Sequence, residues 1–261
     1  MSSNLADQWR VAGIRVGDTV MIHSNVSRTL RRCAKEGQRI SVQELLDSFK
    51  AAVGTTGTLL FPLFNFDFAN GIPFDIRSTP SKMGSLTEAA RLDPLTVRTG
   101  HPMYSFAVLG ALQERFRAIN NISGYGEDSP FALLRQLNGK IAVLDLDDQA
   151  SMTFYHHVEE MHRVDYRYFK SFEGPYADSK GEVGFRRYLL FVRRIDKGIL
   201  TFVNPAGEMM WRAGLYSGNR PGVGSGLRVV SASAMFDFVS EIIKSGKAEN
   251  VLYRVDPNLR G

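Results

Sequence analysis

The run Met152-Thr153-Phe154-Tyr155-His156-His157-Val158-Glu159-Glu160 concentrates more reactive side chains than any other part of the chain. On a helix, positions three and four apart share a face, so Thr153, His156 and Glu159 line one side while His157 and Glu160 turn away. A carboxylate beside an imidazole fixes the ring and stabilises its protonated form, which suits a general base. On a solvated helix the same pair is only an ion pair, worth roughly a few tenths of a kcal/mol. Which use applies depends on whether the helix opens at the end of a buried strand.

Two other chemistries compete for these residues. His156, His157, Glu159, Glu160 and His162 are all potential metal ligands, and a metal-dependent amidohydrolase is one reading of them. The HExxH pattern is absent, however, and no cysteine cluster exists, so no metal is expected. A serine nucleophile is not signalled, since there is no G-x-S-x-G turn. The one cysteine, Cys33, lies in a basic segment without a cue for a neighbouring base, and it cannot form an internal disulfide.

Three further segments place polar residues where strands should end. His23-Ser24-Asn25-Val26-Ser27 exposes hydroxyls and backbone N–H groups able to hold carbonyl or phosphate oxygens, or simply caps a helix. Phe74-Asp75 with Ser78-Thr79-Pro80, Met83-Gly84 and Glu88 reads locally as a helix start. Arg98-Thr-Gly-His101-Pro102 with Ser105-Phe106 reads locally as a turn.

The elements that must carry these segments alternate. Leu5, Trp9 and Ala12 have helical spacing, and Thr19–His23 is a short β-rich run. Ser41 with Glu44 forms a capping-box pattern opening a helix through Val53. A buried strand follows at 57–61, ending at Pro62, then a helix over Pro130–Leu137 and a strand over Ile141–Leu146. This order predicts an α/β fold of αβα layers around a largely parallel mixed sheet, with ligands at the strand ends. Residues 185–204 read as a hairpin around Asp196-Lys197-Gly198, Ser217–Gly226 as a mobile glycine-rich loop, and Ser231 onward as a closing amphipathic helix. One domain is expected, its core over about 11–165 and a small C-terminal β addition with the closing helix over about 185–250.

The whole chain has 261 residues, 44% hydrophobic and 23% charged, which excludes a disordered or disulfide-scaffold class. Its net charge of +5 favours small anionic partners without the pattern of a nucleic-acid reader. The start lacks a secretory signal and no window is apolar enough for a membrane span, so a cytoplasmic location is expected, with no membrane partner.

Taken in order, the segments resemble the aminoglycoside N3-acetyltransferase family. The resemblance rests on Gly17-Asp18, Val20-Met-Ile-His-Ser24, Gly57-Thr-Leu-Leu-Phe-Pro62, Phe74-Asp75, Ser78-Thr-Pro80, Met83-Gly84 and Glu88. It continues through Arg98, His101-Pro102, Ser105-Phe106, Ser129-Pro130 and Thr153-x-x-His156-x-x-Glu159. It implies direct acyl transfer from acetyl-CoA or another acyl-CoA to an amine, with His156 as base and Glu159 as its partner. By the same resemblance Ser24, Asn25, Val26, Ser27, Arg28, Ser105, Phe106 and Thr153 hold the coenzyme. Asp67, Asp75, His101 and His157 are the candidate acceptor contacts, and homo-oligomer formation is allowed. Asn25 departs from the family's usual second serine. The basic, aromatic run Arg163, Tyr166, Arg167, Tyr168, Phe169, Lys170 favours an anionic acceptor, such as a nucleotide-linked amino sugar of surface-polysaccharide synthesis. The alternatives are an aminoglycoside resistance enzyme, the amidohydrolase above, and a catalytically silent binding module.

Overall fold

The computed structural model describes residues 4–260. Its largest sheet has seven strands. They are β1 (Thr19–Ser24), β2 (Thr58–Pro62), β4 (Val97–Arg98), β5 (Phe106–Gly110), β6 (Lys140–Leu144), β10 (Ser217–Gly218) and β11 (Leu227–Ser231), in the order β10-β11-β6-β1-β2-β5-β4. The centre is parallel: β1 pairs with β6 and β2 in that sense, Met21 lying opposite both Ile141 and Leu60. The margins are antiparallel, so the expected mixed sheet has its parallel part confined to three strands.

Period-two alternation divides this sheet's side chains between two cores. Val20 and Ile22 of β1 join Ala142 and Leu144 of β6 on one face, under helices α1 (Leu5–Ala12), α3 (Val42–Val53) and α4 (Ser85–Leu92). Trp9 and Phe49 stack there at 4.8 Å, and the Ser41–Glu44 capping box closes the start of α3. Met21, Ile141 and Val143 enter the opposite core, beneath α6 (Pro130–Gln136), α8 (Phe154–Met161), α9 (Asn204–Arg212) and α10 (Ala232–Lys244). Three further α-helices are α2 (Ser27–Lys35), α5 (Gln113–Arg117) and α7 (Asp148–Ser151).

The later part of the chain departs from expectation. The strand after the active helix, β7 (Arg167–Ala177), pairs along its whole length with β8 (Val183–Arg193), and β3 (Phe74–Asp75) adds to its edge. Residues 185–204 therefore do not fold back on themselves. β9 (Lys197–Thr201) pairs instead with β12 (Tyr253–Arg260). The physical reason is the longer partner: β7 offers eleven register pairs to β8, far more than a turn at Asp196–Gly198 could bring together. No helix among the described residues is long and apolar enough to cross a membrane.

Candidate active site

The parallel strands all end at one edge of the sheet, and the loops leaving them enclose a succession of cavities. A space of about 390 Å³ is lined by His23 and Ser24 at the end of β1, by Asn25, Val26 and Ser27 after it, by Pro62 at the end of β2, and by Lys82–Ser85. Two helices begin there. Asn25 Oδ1 accepts from the Ser27 N–H at 3.2 Å as α2 starts, and α4 starts at Gly84, whose φ of +112° suits a residue without Cβ. Helix N-termini facing one space can hold phosphates, while Lys82 beside them is paired with Asp67.

Ala150 is shared between this space and a smaller one of about 110 Å³, lined by residues 148–153 with His156 and Thr201. His156 in turn is shared with a cavity of about 640 Å³, walled by Phe66, Tyr104, Tyr125 and residues of β7 and β8. The imidazole thus stands where a narrow channel from the strand ends meets a roomy chamber.

The local sequence explains its orientation. Phe154, Tyr155 and Val158 anchor α8 in the core, leaving His156 with about 20% of its side chain exposed. Its Nδ1 lies 2.9 Å from Glu159 Oε2. Glu159 also forms an ion pair with Arg167, Nε to Oε2 at 2.7 Å, and Arg167 Nη2 lies 2.9 Å from the same His156 Nδ1. The Tyr125 ring meets the imidazole edge-on at 5.2 Å. Burial, reinforced by Arg167, pushes the His156 pKa below its ordinary value, against the pull of Glu159. Burial works to raise the Glu159 carboxyl, but Arg167 and His156 outweigh it and hold its pKa low. The resulting group is a neutral imidazole on an ionised, charge-balanced carboxylate, which is the state a base needs before reaction.

Beneath the narrow channel, Asp148 is buried and fully engaged. It accepts from the hydroxyls of Tyr155 at 2.8 Å and Tyr216 at 2.7 Å, and from Arg228 Nη2 at 2.9 Å. This network fixes α7 and so the floor between the two outer cavities.

Several sequence-proposed residues lie elsewhere. Ser105 is fully buried, its hydroxyl accepting from Arg98 Nε at 3.0 Å, and Phe106 is core, packed edge-on against Phe64 and Phe131. Neither lines the three cavities: β5 starts beside Pro62 at the end of β2, but the Ser105 hydroxyl is spent on Arg98 and the Phe106 ring on the core. Arg28 extends to Asp145 at 3.1 Å and to the Gly224 carbonyl, tying down the glycine-rich loop rather than lining the strand-end space. His101 is buried, its Nδ1 accepting from the N–H of Tyr104 at 3.1 Å. His157 points into the core with Nδ1 on the Tyr125 carbonyl at 2.8 Å. Asp67 is paired with Lys82, and Asp75 is held at about 2 by its bonds to Arg77. None of these four lines the chamber. Ser24, Asn25, Val26, Ser27 and Thr153 do line the channel cavities. Among the described residues, no group of three or more His, Cys, Asp or Glu side chains is arranged to hold a metal ion.

Residues that sequence reasoning passed over are Tyr104, Tyr125, Lys82, Arg193 and Arg194. The place of Arg193-Arg194 opposite β7 depends on the β7–β8 pairing, which the local turn signal at Asp196–Gly198 does not reveal.

The model of the aminoglycoside 3-N-acetyltransferase family matches residues 21–244. Aminoglycoside N(3)-acetyltransferase VII of Streptomyces paromomycinus is 26% identical over 71% of this chain and 69% of its own. Aminoglycoside N(3)-acetyltransferase VIII of Streptomyces fradiae is 24% identical over 90% and 86%. The solved structure of AAC-IIIb with CoASH shares the fold at a TM-score of 0.79, with 24% identity over 93% of this chain and 95% of that one. A family match that spans every strand-end loop and the whole of α8 leaves one assignment: the chain belongs to the aminoglycoside 3-N-acetyltransferase family and is an acetyl-CoA-dependent N-acyltransferase.

Proposed function

We propose that the chain acetylates an amine of an aminoglycoside-type amino sugar, with His156 as general base and Glu159 as its partner. The observation that carries this reading is the position of His156 between the narrow channel and the 640 Å³ chamber, with its Nδ1 on Glu159. The pantetheine arm of acetyl-CoA enters from the strand-end space past Ala150 and Thr153, so that its thioester comes to His156. The acceptor fills the chamber. An amine at neutral pH is mostly protonated, and attack on the thioester carbonyl needs its lone pair. His156 Nε2 takes the proton, Glu159 stabilises the imidazolium, and the tetrahedral adduct expels the coenzyme A thiolate. Such a base contributes typically about 10²–10⁴-fold, and no covalent enzyme intermediate is required. The names of the relatives favour an aminoglycoside acceptor.

One observation favours a second acceptor, a nucleotide-linked amino sugar. The chamber wall carries Lys170, Arg193 and Arg194, none in an ion pair with a carboxylate among the described residues, against the single acid Asp196. Such a wall repels a polycation and attracts a phosphate. Thiol release from acetyl-CoA, measured with a panel of aminoglycosides and of nucleotide-linked amino sugars, decides between them. The expected result is turnover with at least one panel; release with neither, or only hydrolysis independent of any amine, overturns the assignment.

A further inference from the structure

A buried carboxylate next to an imidazole has a drawback for a base. Left alone in a poorly solvated site, Glu159 would draw a proton onto His156 and keep it there as an ion pair, and a ring already protonated cannot accept the amine's proton. The structure holds a counterweight. Arg167, the first residue of β7, is itself buried, with Nη1 donating to the Phe191 carbonyl at 3.0 Å, Nε 2.7 Å from Glu159 Oε2 and Nη2 2.9 Å from His156 Nδ1.

With Nε2 as the accepting atom, the neutral ring carries its proton on Nδ1 toward Glu159, and the nearby Arg167 guanidinium acts through its charge, opposing a second proton on the ring. We propose that Arg167 is a positioning residue that balances the charge of Glu159 and so keeps His156 neutral and ready to accept a proton. This rests on the reading of His156 as base. With the imidazole neutral, the buried trio carries one negative and one positive charge and sums to zero. After proton transfer it carries a net positive charge, which favours prompt return of the proton to solvent through the chamber.

The groups facing His156 from each neighbouring element are few. Glu159 lies on its own helix, Arg167 on β7 and Arg193 on β8, and both arginines oppose its protonation. Tyr104 and Tyr125, from the loops before β5 and α6, are pushed by burial above the ordinary phenol value and stay neutral through the working range.

The test compares Arg167→Gln and Arg167→Lys with the wild type in kcat/KM against pH from 5.5 to 9, with His156→Ala alongside. Removal of the cation leaves Glu159 uncompensated, so the acid limb of the profile moves to higher pH. Relative to its own plateau, R167Q is expected to be about tenfold less active at pH 6.5 than the wild type, one pH unit being tenfold. R167K, which keeps the charge, retains the wild-type limb. Unchanged limb position in R167Q, with activity lowered equally at every pH, overturns the proposal by reducing Arg167 to a packing role. Should R167Q not fold, the ¹⁵N shifts of the wild-type His156 ring, assigned by difference from H156A, give the answer: a neutral ring at pH 7.5 supports the proposal, and an imidazolium there overturns it. Full turnover in H156A is a separate failure, that of the base assignment itself.

Discussion

Arg167 and Arg193 stand directly opposite each other as register partners across β7 and β8. Like charges so placed ordinarily repel. Here only one of them is neutralised among the described residues, because Glu159 lies 2.7 Å from Arg167, whereas Arg193 pairs with no carboxylate there and its Nη1 meets Thr201 Oγ1 at 3.4 Å. The pairing therefore sorts the two cations into different tasks, one sealed beside the imidazole and one left facing the chamber with Arg194. Arg194 spends its Nε on the Asp165 carbonyl and lays its guanidinium over Tyr168 at 5.3 Å, leaving its charge uncompensated.

The double variant Arg193→Gln/Arg194→Gln should read out that charge. For an acceptor carrying phosphate, its KM is expected to rise about tenfold with kcat within about threefold, since uniform binding is lost and chemistry is not. For a polycationic aminoglycoside the KM should fall or stay level. Steady-state kinetics with both acceptor classes measure this. A raised KM for aminoglycosides alone would contradict the electrostatic account of the wall.

His156→Ala should lower kcat by at least about 10²-fold while coenzyme A affinity, measured by calorimetry, stays within about threefold. The asymmetry is expected because the proposed coenzyme space is lined chiefly by the strand-end loops, with His156 only at the inner cavity. Near-normal turnover in this variant would move proton removal to another group.

How far the sequence revealed this site can be judged residue by residue. Thr153, His156 and Glu159 were legible together because a helix places i, i+3 neighbours on one face whatever surrounds it. The turn Ser24–Ser27 was legible because it follows a buried strand in a parallel centre. His101 and His157 were not distinguishable from working histidines, since burial, which decides their role, is a property of the packed core. Ser105 and Phe106 misled for the same reason: β5 starts beside the end of β2, but packing turns their side chains to Arg98 and the core. Arg167 and Arg193 needed the full β7–β8 register, a non-local pairing that no local spacing encodes.

Asp148→Ala should be strongly destabilising. The variant strands Arg228, whose side chain is about 1% exposed, and leaves the hydroxyls of Tyr155 and Tyr216 without their acceptor. Removing one member of a buried pair costs about 3–5 kcal/mol because the partner charge stays buried and unpaired. Urea unfolding would report it as a lower midpoint with an unchanged slope. A loss below about 1 kcal/mol would mean that α7 repacks and that the floor of the channel is held by something else.

The chain should lose stability steeply between pH 7.5 and 5.5, and the histidines supply the reason. His23 and His101 are held at about 3 and His157 at about 4, all by burial, with Arg228 adding to the effect at His23. A pKa lowered on folding means that the unfolded chain takes up protons first as the pH falls. Stability is therefore fully present above the unfolded value of 6.5 and is lost progressively below it. Each such histidine costs on the order of 1.4 kcal/mol between pH 7.5 and 5.5, so three together remove roughly 4 kcal/mol, a large share of the 5–15 kcal/mol typical of a folded protein. That window lies above the ordinary carboxylate range, so Asp and Glu contribute little to it. Urea midpoints at pH 7.5, 6.5 and 5.5 measure the trend, which should be steepest between the last two. A flat profile would require these three rings to be protonated inside the fold, and the backbone N–H that Tyr104 donates to His101 Nδ1 leaves that nitrogen no room for a proton.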